Sequence, residues 1–241
     1  MEKYGFEKEW KEAVLIRKEN ASTVLVMDGE EVEIDCPEIA RGNVSGWGTP
    51  CLVSGDGSPE DGKYSVMAFS LDHPKRENKD WICIRPVVFE DAVKYFLVNH
   101  HMEEMANGHM VSRKIVSNGK AGADFIAGDT YIEINVPASI LNAAGDGWMQ
   151  VQSLMMTAEK AVRHKSMVSG PEDGVRRLIF LTVFQHGLND RMGDFLCREL
   201  SRFFGVDMQE TTEFWVADLK LEPDGITLLS CLNITERVML E

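Results

Sequence analysis

Hydrophobic and polar residues alternate over short distances in the first third of the chain, a pattern typical of half-buried strands. Clusters of Gly, Asn, Asp and Ser separate these segments. The pair Asp28-Gly29 is a strong signal for a tight hairpin turn between two strands. The five short strands predicted in this way lie at 13–17, 23–27, 32–35, 51–54 and 65–71. Strands of this length joined by hairpins and loops suit a small β-barrel.

The pattern changes after the polar, proline-containing stretch 73–80, which we predict to be a domain boundary. The expected domains are therefore 1–80 and 81–241. In the second, apolar runs of strand length alternate with helical spacing, as in an α/β domain. Strands are predicted at 81–85, 177–184, 213–219 and 227–231, and helices at 148–164, at 190–204 and from Pro86 to a stop at Gly108.

The stretch ADFIAGDTYIEIN, residues 123 to 135, carries the most informative polar pattern. It predicts two short strands around a turn, with Asp124 before the turn and Glu133 after it. Asn135 should share a face with Glu133, because positions i and i+2 of a strand project together. Two carboxylates at adjacent strand ends can hold a hard divalent cation such as Mg²⁺ or Mn²⁺. Asp124 and Glu133 are therefore the predicted metal ligands.

This arrangement resembles the PD-(D/E)XK nuclease signature, in which an Asp is followed at a variable distance by Glu-x-Lys. Here Asn135 stands at the lysine position, and an amide cannot supply a cation. The resemblance implies catalytic roles for Asp124 and Glu133, with position 135 degenerate. Lys160, in MMTAEKAVRHK, is the plausible match to a basic residue that follows the signature.

Three further stretches extend the resemblance over nearly the whole chain: AVLIRKENASTVLVMDGEEVEIDCPEIARGNVSGWGTPCLVS, WICIRPVVFEDAVKYFL and RLIFLTVFQHG. Together they are similar to the sugar fermentation stimulation protein (SfsA-like) family, which is bacterial and reported as DNA-binding. The chain departs from the family where Cys36-Pro37 is followed by Glu-Ile-Ala rather than Asn-Thr-Gly, so it resembles a divergent member. The family implies an OB-like β-barrel followed by a nuclease-like α/β domain with a mixed central sheet.

The net charge of the chain limits how such a protein could bind nucleic acid. The 241 residues include 39 acidic and 25 basic side chains, for a formal net charge of −14, which argues against a broadly basic surface. A local basic groove is still compatible with this charge, because fields are screened over roughly 8–10 Å. The predicted nucleic-acid contacts are Arg113, Lys114, Lys120, Arg163, Lys165 and His186, and Arg176-Arg177 is a further basic cluster.

Hydrophobic residues make up 44% of the chain, which is enough for a sizeable core. Five cysteines without a C-x-x-C pair indicate reduced, buried side chains rather than a zinc site. Together with an acidic N-terminus and no apolar run of membrane-spanning length, they favour a cytoplasmic protein without a membrane partner. The sequence leaves open whether it forms oligomers.

Three functions remain open on these grounds. The first is a DNA-binding or regulatory protein on a degenerate nuclease-like scaffold. The second is an active Mg²⁺- or Mn²⁺-dependent nuclease that uses a relocated lysine. The third is a protein-interaction module without a nucleic-acid role. Loss of the lysine inclines the prediction away from an enzyme, because losing one well-placed electrostatic donor costs ~10²–10³ in rate.

Overall fold

A computed structural model of the chain describes nine segments: residues 1–19, 22–35, 48–55, 64–70, 72–113, 124–136, 177–185, 190–204 and 212–240. Half of the residues in these segments lie in the strands of two β-sheets. The predicted helix at 148–164 falls outside them.

The first sheet contains six antiparallel strands and is curled into a half-barrel. Its hairpin turns at Asp28-Gly29, where φ is +54° and +86°, so the tight turn predicted from Asp-Gly is confirmed. The strands are β2 (Lys11–Glu19), β3 (Ser22–Met27), β4 (Glu30–Asp35), β5 (Thr49–Ser54), β6 (Ser65–Phe69) and β7 (Ile82–Cys83), in the order β4-β3-β2-β5-β6-β7. All five strands predicted before residue 73 are therefore present.

The second sheet is mixed. It contains β1 (Glu2–Gly5), β8 (Val111–Arg113), β9 (Phe125–Ala127), β10 (Thr130–Asn135), β11 (Arg177–Phe184), β12 (Thr212–Glu222) and β13 (Gly225–Asn233), in the order β1-β13-β12-β11-β10-β9-β8. The three central strands, β10 to β12, run parallel, and the outer pairs are antiparallel. The mixed central sheet expected for the second half of the chain is thus observed.

The described helices are α1 (Pro86–Val98), α2 (Glu103–Ala106), α3 (Asp190–Phe204) and α4 (Thr235–Leu240). The predicted start of α1 at Pro86 is confirmed, but its predicted continuation to Gly108 is wrong. The Asn99 side chain donates to the Tyr95 carbonyl at 2.8 Å and closes the last turn. His100 then takes φ of +63°, a left-handed conformation that a helix cannot continue through.

The seven-stranded sheet is covered on both faces. On one face, Ile132 and Ile179 pack with Phe89 and Phe96 of α1 and with Leu52 of the half-barrel in one buried cluster. The opposite face is covered by α3 and α4, whose buried contribution to a second cluster is Leu196, Cys197, Leu200 and Val238. A third cluster is formed by buried side chains of the half-barrel strands, together with Tyr64. The molecule is a mixed α/β structure in which sheet predominates among the described residues.

The strand β1, near the start of the chain, pairs with a strand near its end. It pairs antiparallel with β13, with Glu2 opposite Leu228 and Gly5 opposite Gly225. The Lys3 ammonium also contacts the carboxylates of Glu222 at 3.0 Å and Asp224 at 2.6 Å. Residues 2–5 therefore belong to the second sheet, although they precede the half-barrel in the sequence. The division into domains at residue 80 stays a prediction.

None of the described helices is long and apolar enough to cross a membrane.

Candidate functional site

The hairpin β9–β10 positions the two predicted carboxylates. Its turn lies at Gly128-Asp129, where Gly128 has φ of +61°, and its register sets Phe125 opposite Ile132. Asp124 directly precedes β9. Its Oδ2 accepts a hydrogen bond from the Ile134 backbone N–H at 2.7 Å. The Asp124 carboxylate is therefore held against β10, at the peptide that follows Glu133.

Alternation along β10 decides which way Glu133 and Asn135 face. Ile132 and Ile134 belong to the buried cluster beneath α1, whereas Tyr131 packs with the cluster beneath α3. Because side chains alternate between the faces of a strand, Glu133 and Asn135 share the Tyr131 face. They lie together on the α3 side of the sheet.

Glu133 is only 4% exposed. In the parallel pair β10–β11 it is set beside Phe180, and Asn135 is set beside Thr182, which is also 4% exposed. Buried charges in proteins are generally paired or bound to metal ions, because an uncompensated charge in a nonpolar environment is costly. The position thus has the character of an internal polar site rather than of a solvated strand carboxylate.

The donor types here suit a hard divalent cation, which prefers carboxylate and amide oxygens. Asp124 and Glu133 would hold it. Within the described segments, however, no group of three or more His, Cys, Asp or Glu side chains is arranged to hold a metal ion. The two carboxylates fit the chemistry of Mg²⁺ or Mn²⁺, and further ligands would have to come from water, a phosphate or other parts of the chain.

Of the predicted nucleic-acid contacts, only Arg113 lies in the described segments. It ends the edge strand β8, where it is set opposite Phe125, the neighbour of Asp124. The backbone therefore brings position 113 close to the Asp124 end of the hairpin. Lys114, Lys120, Lys160, Arg163, Lys165 and His186 all lie outside the described residues.

One residue of the predicted basic clusters, Arg177, forms its contacts within the fold. Arg177, at the start of β11, forms two hydrogen bonds with the Glu213 carboxylate, at 2.5 and 2.7 Å. Its Nη1 also donates to the carbonyls of Glu104 and Met105. Arg177 thus joins two strands and α2, and its side chain is engaged in contacts within the fold.

The Glu213 carboxylate accepts most of the hydrogen bonds in this network. Partial burial by itself would raise its pKa, but hydrogen bonds from Arg177 and from the Trp215 indole outweigh this effect and lower it. The carboxylate therefore stays ionised at neutral pH. These hydrogen bonds all join parts of the fold, so we interpret the network as structural.

Three buried polar residues near the parallel strand ends carry no signal in the sequence. Thr182 and Gln185 are 4% and 5% exposed, and Asp218 is 8% exposed. Gln185 accepts a hydrogen bond from the Cys83 backbone N–H at 2.8 Å and so ties β11 to the half-barrel. Asp218 is set beside Phe184 in the β11–β12 pair. They fall within or just after apolar strand patterns, where single polar residues do not stand out.

A cleft of about 360 Å³ lies away from this hairpin, between the N-terminal segment, the end of β5 and α1. Its lining includes the rings of Tyr4, Phe6 and Trp10 and the carboxylates of Glu7, Glu9 and Asp91, with Lys8 as its one cation. Such a negative lining disfavours a phosphate backbone, and none of the described residues that line the cleft is a predicted nucleic-acid contact.

A solved structure has a fold similar to that of this chain. The solved structure of SfsA from Pyrococcus furiosus in complex with Ca²⁺ is similar to this chain with a TM-score of 0.51 and 10% sequence identity, and the match covers 95% of this chain and 96% of that one. No protein-family model matches the chain, and no curated protein matches it. At this identity the likeness concerns fold alone, and the SfsA-like fold expected from the sequence is confirmed at that level.

Proposed function

We propose that this chain is a nucleic-acid-binding protein, with DNA as its first expected ligand, on a nuclease-like scaffold that has lost a catalytic lysine. In this proposal it is a divergent relative of the SfsA proteins. The proposed OB-like unit is 1–80 and the proposed nuclease-like α/β unit is 81–241, with β1 of the first range added to the second sheet and β7 of the second range added to the first. The similarity in fold to an SfsA structure and the polar hairpin end support this assignment.

The observation that carries the proposal is the 2.7 Å hydrogen bond from the Ile134 N–H to Asp124 Oδ2. It holds one carboxylate beside the strand that carries Glu133 and Asn135. Asp124, directly before β9, is thereby held next to the strand that carries Glu133, at one end of a mixed sheet. In this proposal the two carboxylates share a divalent cation there.

A divalent cation is part of the proposal. The SfsA structure with the similar fold was solved with Ca²⁺, and Asp124 and Glu133 supply oxygen ligands of the kind that Ca²⁺, Mg²⁺ and Mn²⁺ share. In this chain the cation would attract a phosphate group to the hairpin end. It would thereby offset part of the negative field of a molecule with a formal charge of −14.

Asn135 explains why binding is proposed ahead of cleavage. Phosphodiester cleavage needs a metal-activated water and charge stabilisation at the phosphate. An amide at position 135 can donate a hydrogen bond but cannot stabilise the developing charge as an ammonium does. Binding requires only the cation and nearby basic side chains, for which Arg113, Lys114, Lys120, Arg163, Lys165 and His186 are proposed.

Fluorescence anisotropy with labelled DNA and RNA duplexes and single strands tests this proposal. With Mg²⁺ or Ca²⁺ present, we expect affinity to fall about tenfold or more between roughly 50 and 200 mM salt, since phosphate contacts release counterions. Arg113→Gln should weaken binding, whereas Arg17→Gln, which removes an exposed arginine paired with Glu31 on the half-barrel, should not. Absence of binding even at low salt would contradict the proposal and favour the protein-interaction module.

An active nuclease is the second candidate, favoured by the pair of carboxylates at the hairpin end. In that case Lys160 supplies the missing cation from another segment. Cleavage should then require Mg²⁺ or Mn²⁺, stop with a chelator, and disappear in Asp124→Ala, Glu133→Ala and Lys160→Gln. If the wild type is inert, Asn135→Lys should restore metal-dependent cleavage on an intact scaffold. An inert wild type excludes this second candidate, and an inert Asn135→Lys as well would contradict the nuclease-like scaffold of the first.

A further inference from the structure

The cleft between the N-terminal segment, the end of β5 and α1 combines aromatic side chains with carboxylates. Its volume is about 360 Å³, and small-molecule sites in proteins measure roughly 300–1,000 Å³. None of its described lining residues belongs to the β9–β10 hairpin, and the proposed function does not use it. The chemistry of this concave lining indicates which class of ligand it fits.

One wall of the cleft is a short loop that is fixed at both ends. The Phe6 backbone N–H donates to the Asp224 carbonyl at 3.0 Å, and the Trp10 backbone N–H donates to the Pro223 carbonyl at 2.8 Å. The Phe6 and Trp10 rings stack with their centroids 4.1 Å apart. Residues 7–9, between these two anchors, are exposed. This wall is therefore in place before a ligand binds, which reduces the entropy cost of binding.

A second wall is formed by α1, whose Val88 and Asp91, about one turn apart, line the cleft. The Tyr4 ring packs against the Tyr95 ring of α1 at a centroid distance of 5.4 Å, so it joins the two walls. Burial raises the pKa of the Tyr4 hydroxyl, and the negative charges of Asp91 and Glu7 raise it further. Carboxylates from both walls therefore act on the same residue of the cleft.

The charge of the lining favours a cation. Its described part carries three carboxylates and one ammonium group, from Glu7, Glu9, Asp91 and Lys8, so the local field is negative. Aromatic rings also attract cations through the negative charge of their faces. A hard metal ion would gain nothing from the rings, because it requires oxygen ligands. An organic cation uses both kinds of side chain.

We propose that this cleft binds a small aliphatic amine with two or more ammonium groups. The ammonium groups donate hydrogen bonds to the carboxylates, which a quaternary ammonium cannot do. The methylene chain packs against the aromatic side chains and Val88, as apolar groups removed from water do. More than one positive charge matches a lining whose carboxylates come from two walls, Glu7 and Glu9 on one and Asp91 on the other.

The closed shape of the site favours a free molecule over the side chain of a protein partner. The cleft is bounded by three elements, the N-terminal segment, the end of β5 at Ser54-Gly55, and α1. A lysine side chain has only one ammonium group, whereas the carboxylates lie on two walls. This inference is independent of the proposed nucleic-acid function, because the two sites share no described residue.

Calorimetric titration without nucleic acid tests the site, at low ionic strength where screening is weak. Putrescine and spermidine should each bind to a single saturable site. Butylamine, which has a similar chain but one ammonium group, should bind at least about tenfold more weakly than putrescine, since one of two ion pairs is lost. Butanediol, which has no charge, should show no binding.

Variants locate the binding in the cleft. Asp91→Asn and Glu7→Gln should each raise the putrescine dissociation constant by about fivefold, the size expected for one exposed ion pair. The control Glu33→Gln removes the same charge from an exposed position on β4 that does not line the cleft, and it should bind like the wild type. Saturation-transfer NMR supplies a second readout, in which irradiated aromatic protons should transfer saturation to the methylene protons of putrescine.

Several results would overturn the inference. The first is the absence of saturable binding of putrescine and spermidine. The second is an equal loss of affinity in Glu33→Gln and Asp91→Asn, which would show diffuse attraction to an acidic surface. Butylamine binding as tightly as putrescine, or no saturation transfer from aromatic protons, would also contradict it. A short peptide with two lysines that binds more tightly than spermidine would assign the cleft to a protein partner instead.

Discussion

Asp124 and Ile134 are joined by a hydrogen bond of 2.7 Å between a side-chain carboxylate and a backbone N–H. The bond spans the open end of the β9–β10 hairpin, where Asp124 lies one residue and Ile134 two residues beyond the last regular pair, Phe125 with Ile132. It gives Asp124 a structural role in addition to the proposed metal-binding role. The two roles can be separated by the choice of substitution.

Asp124→Ala should destabilise the fold by about 1–2 kcal/mol, because the Ile134 N–H loses its acceptor in a partly buried place. Asp124→Asn should cost less than half as much, since its amide oxygen can still accept the bond. Both variants should lose divalent-cation binding, which depends on the charge. Urea denaturation and calorimetric titration with Mn²⁺ measure the two effects. Equal destabilisation by Ala and Asn would contradict the hydrogen-bonding role.

The Arg177–Glu213 pair predicts a pH-dependent contribution to stability. The folded pKa of Glu213 is lowered, so the stabilisation is fully present above the pKa of an unfolded glutamate, about 4.3, and is lost as pH falls through the folded value. Glu213→Gln should therefore be less stable than the wild type by about 1 kcal/mol at pH 7, a figure reduced for partial exposure.

The difference between wild type and Glu213→Gln should shrink as pH is lowered below about 4. Denaturation midpoints from pH 3 to pH 7 measure this trend. Glu31→Gln is the matched control, because Glu31 forms an exposed ion pair with Arg17 and such pairs contribute little. A gap for Glu213→Gln that stays constant with pH would show that the charge of Glu213 is not the source of its contribution.

The turn of the site hairpin depends on Gly128. Its φ is +61°, and a Cβ at this position would lie 2.9 Å from the His109 ring. Gly128→Ala should cost about 1–2 kcal/mol for the left-handed backbone and about 1 kcal/mol more for displacing the ring. The control is Gly29→Ala, in the half-barrel hairpin, where φ is +86° and no atom lies within 4 Å of the added Cβ.

Gly29→Ala should therefore show the backbone cost alone. Combining Gly128→Ala with His109→Ala should reduce its cost, measured relative to His109→Ala, to that of Gly29→Ala. Free energies of unfolding for the single and double variants provide this comparison. If the double variant is as unfavourable as the sum of the two single ones, contact with His109 is not the cause.

The local features of the fold were predictable because they depend on neighbours in the sequence. Asp28-Gly29 identified one hairpin and Gly128-Asp129 another, since few residues adopt the positive φ that such turns need. Pro86 identified the start of α1, and the apolar spacing from Phe89 to Leu97 matches side chains that are at most 1% exposed. The SfsA-like fold was expected from the resemblance of several stretches of sequence to that family and not from these local features.

Features that depend on distant parts of the chain could not be predicted. The strand β1 is a short, charged segment whose partner β13 lies more than 200 residues away, so no local pattern marks it. Arg177 looks like one half of a basic pair in the sequence, and only the fold brings Glu213 to it. The end of α1 was missed for a local reason instead, because Asn99 and His100 close it by a side-chain bond and a left-handed turn.

The proposed site was only partly accessible to sequence reasoning for a similar reason. The spacing of Asp124, Glu133 and Asn135 identifies a polar hairpin end, because strand alternation is a local rule. The environment of Glu133 depends on the parallel strand β11, more than 40 residues away. This strand places Glu133 beside Phe180, next to the Asn135–Thr182 pair, where Glu133 is buried. A sequence can therefore suggest the acids but not the environment that sets their chemistry.

The most direct test is a crystal of the protein soaked with Mn²⁺ and measured for anomalous scattering. The account predicts an anomalous peak at the end of the β9–β10 hairpin, within about 2.0–2.6 Å of oxygens from both Asp124 and Glu133. Diffraction from Asp124→Asn crystals treated in the same way should lack it. A well-ordered hairpin without such a peak, or a peak that involves neither carboxylate, would contradict the claim that these two acids form a divalent-cation site.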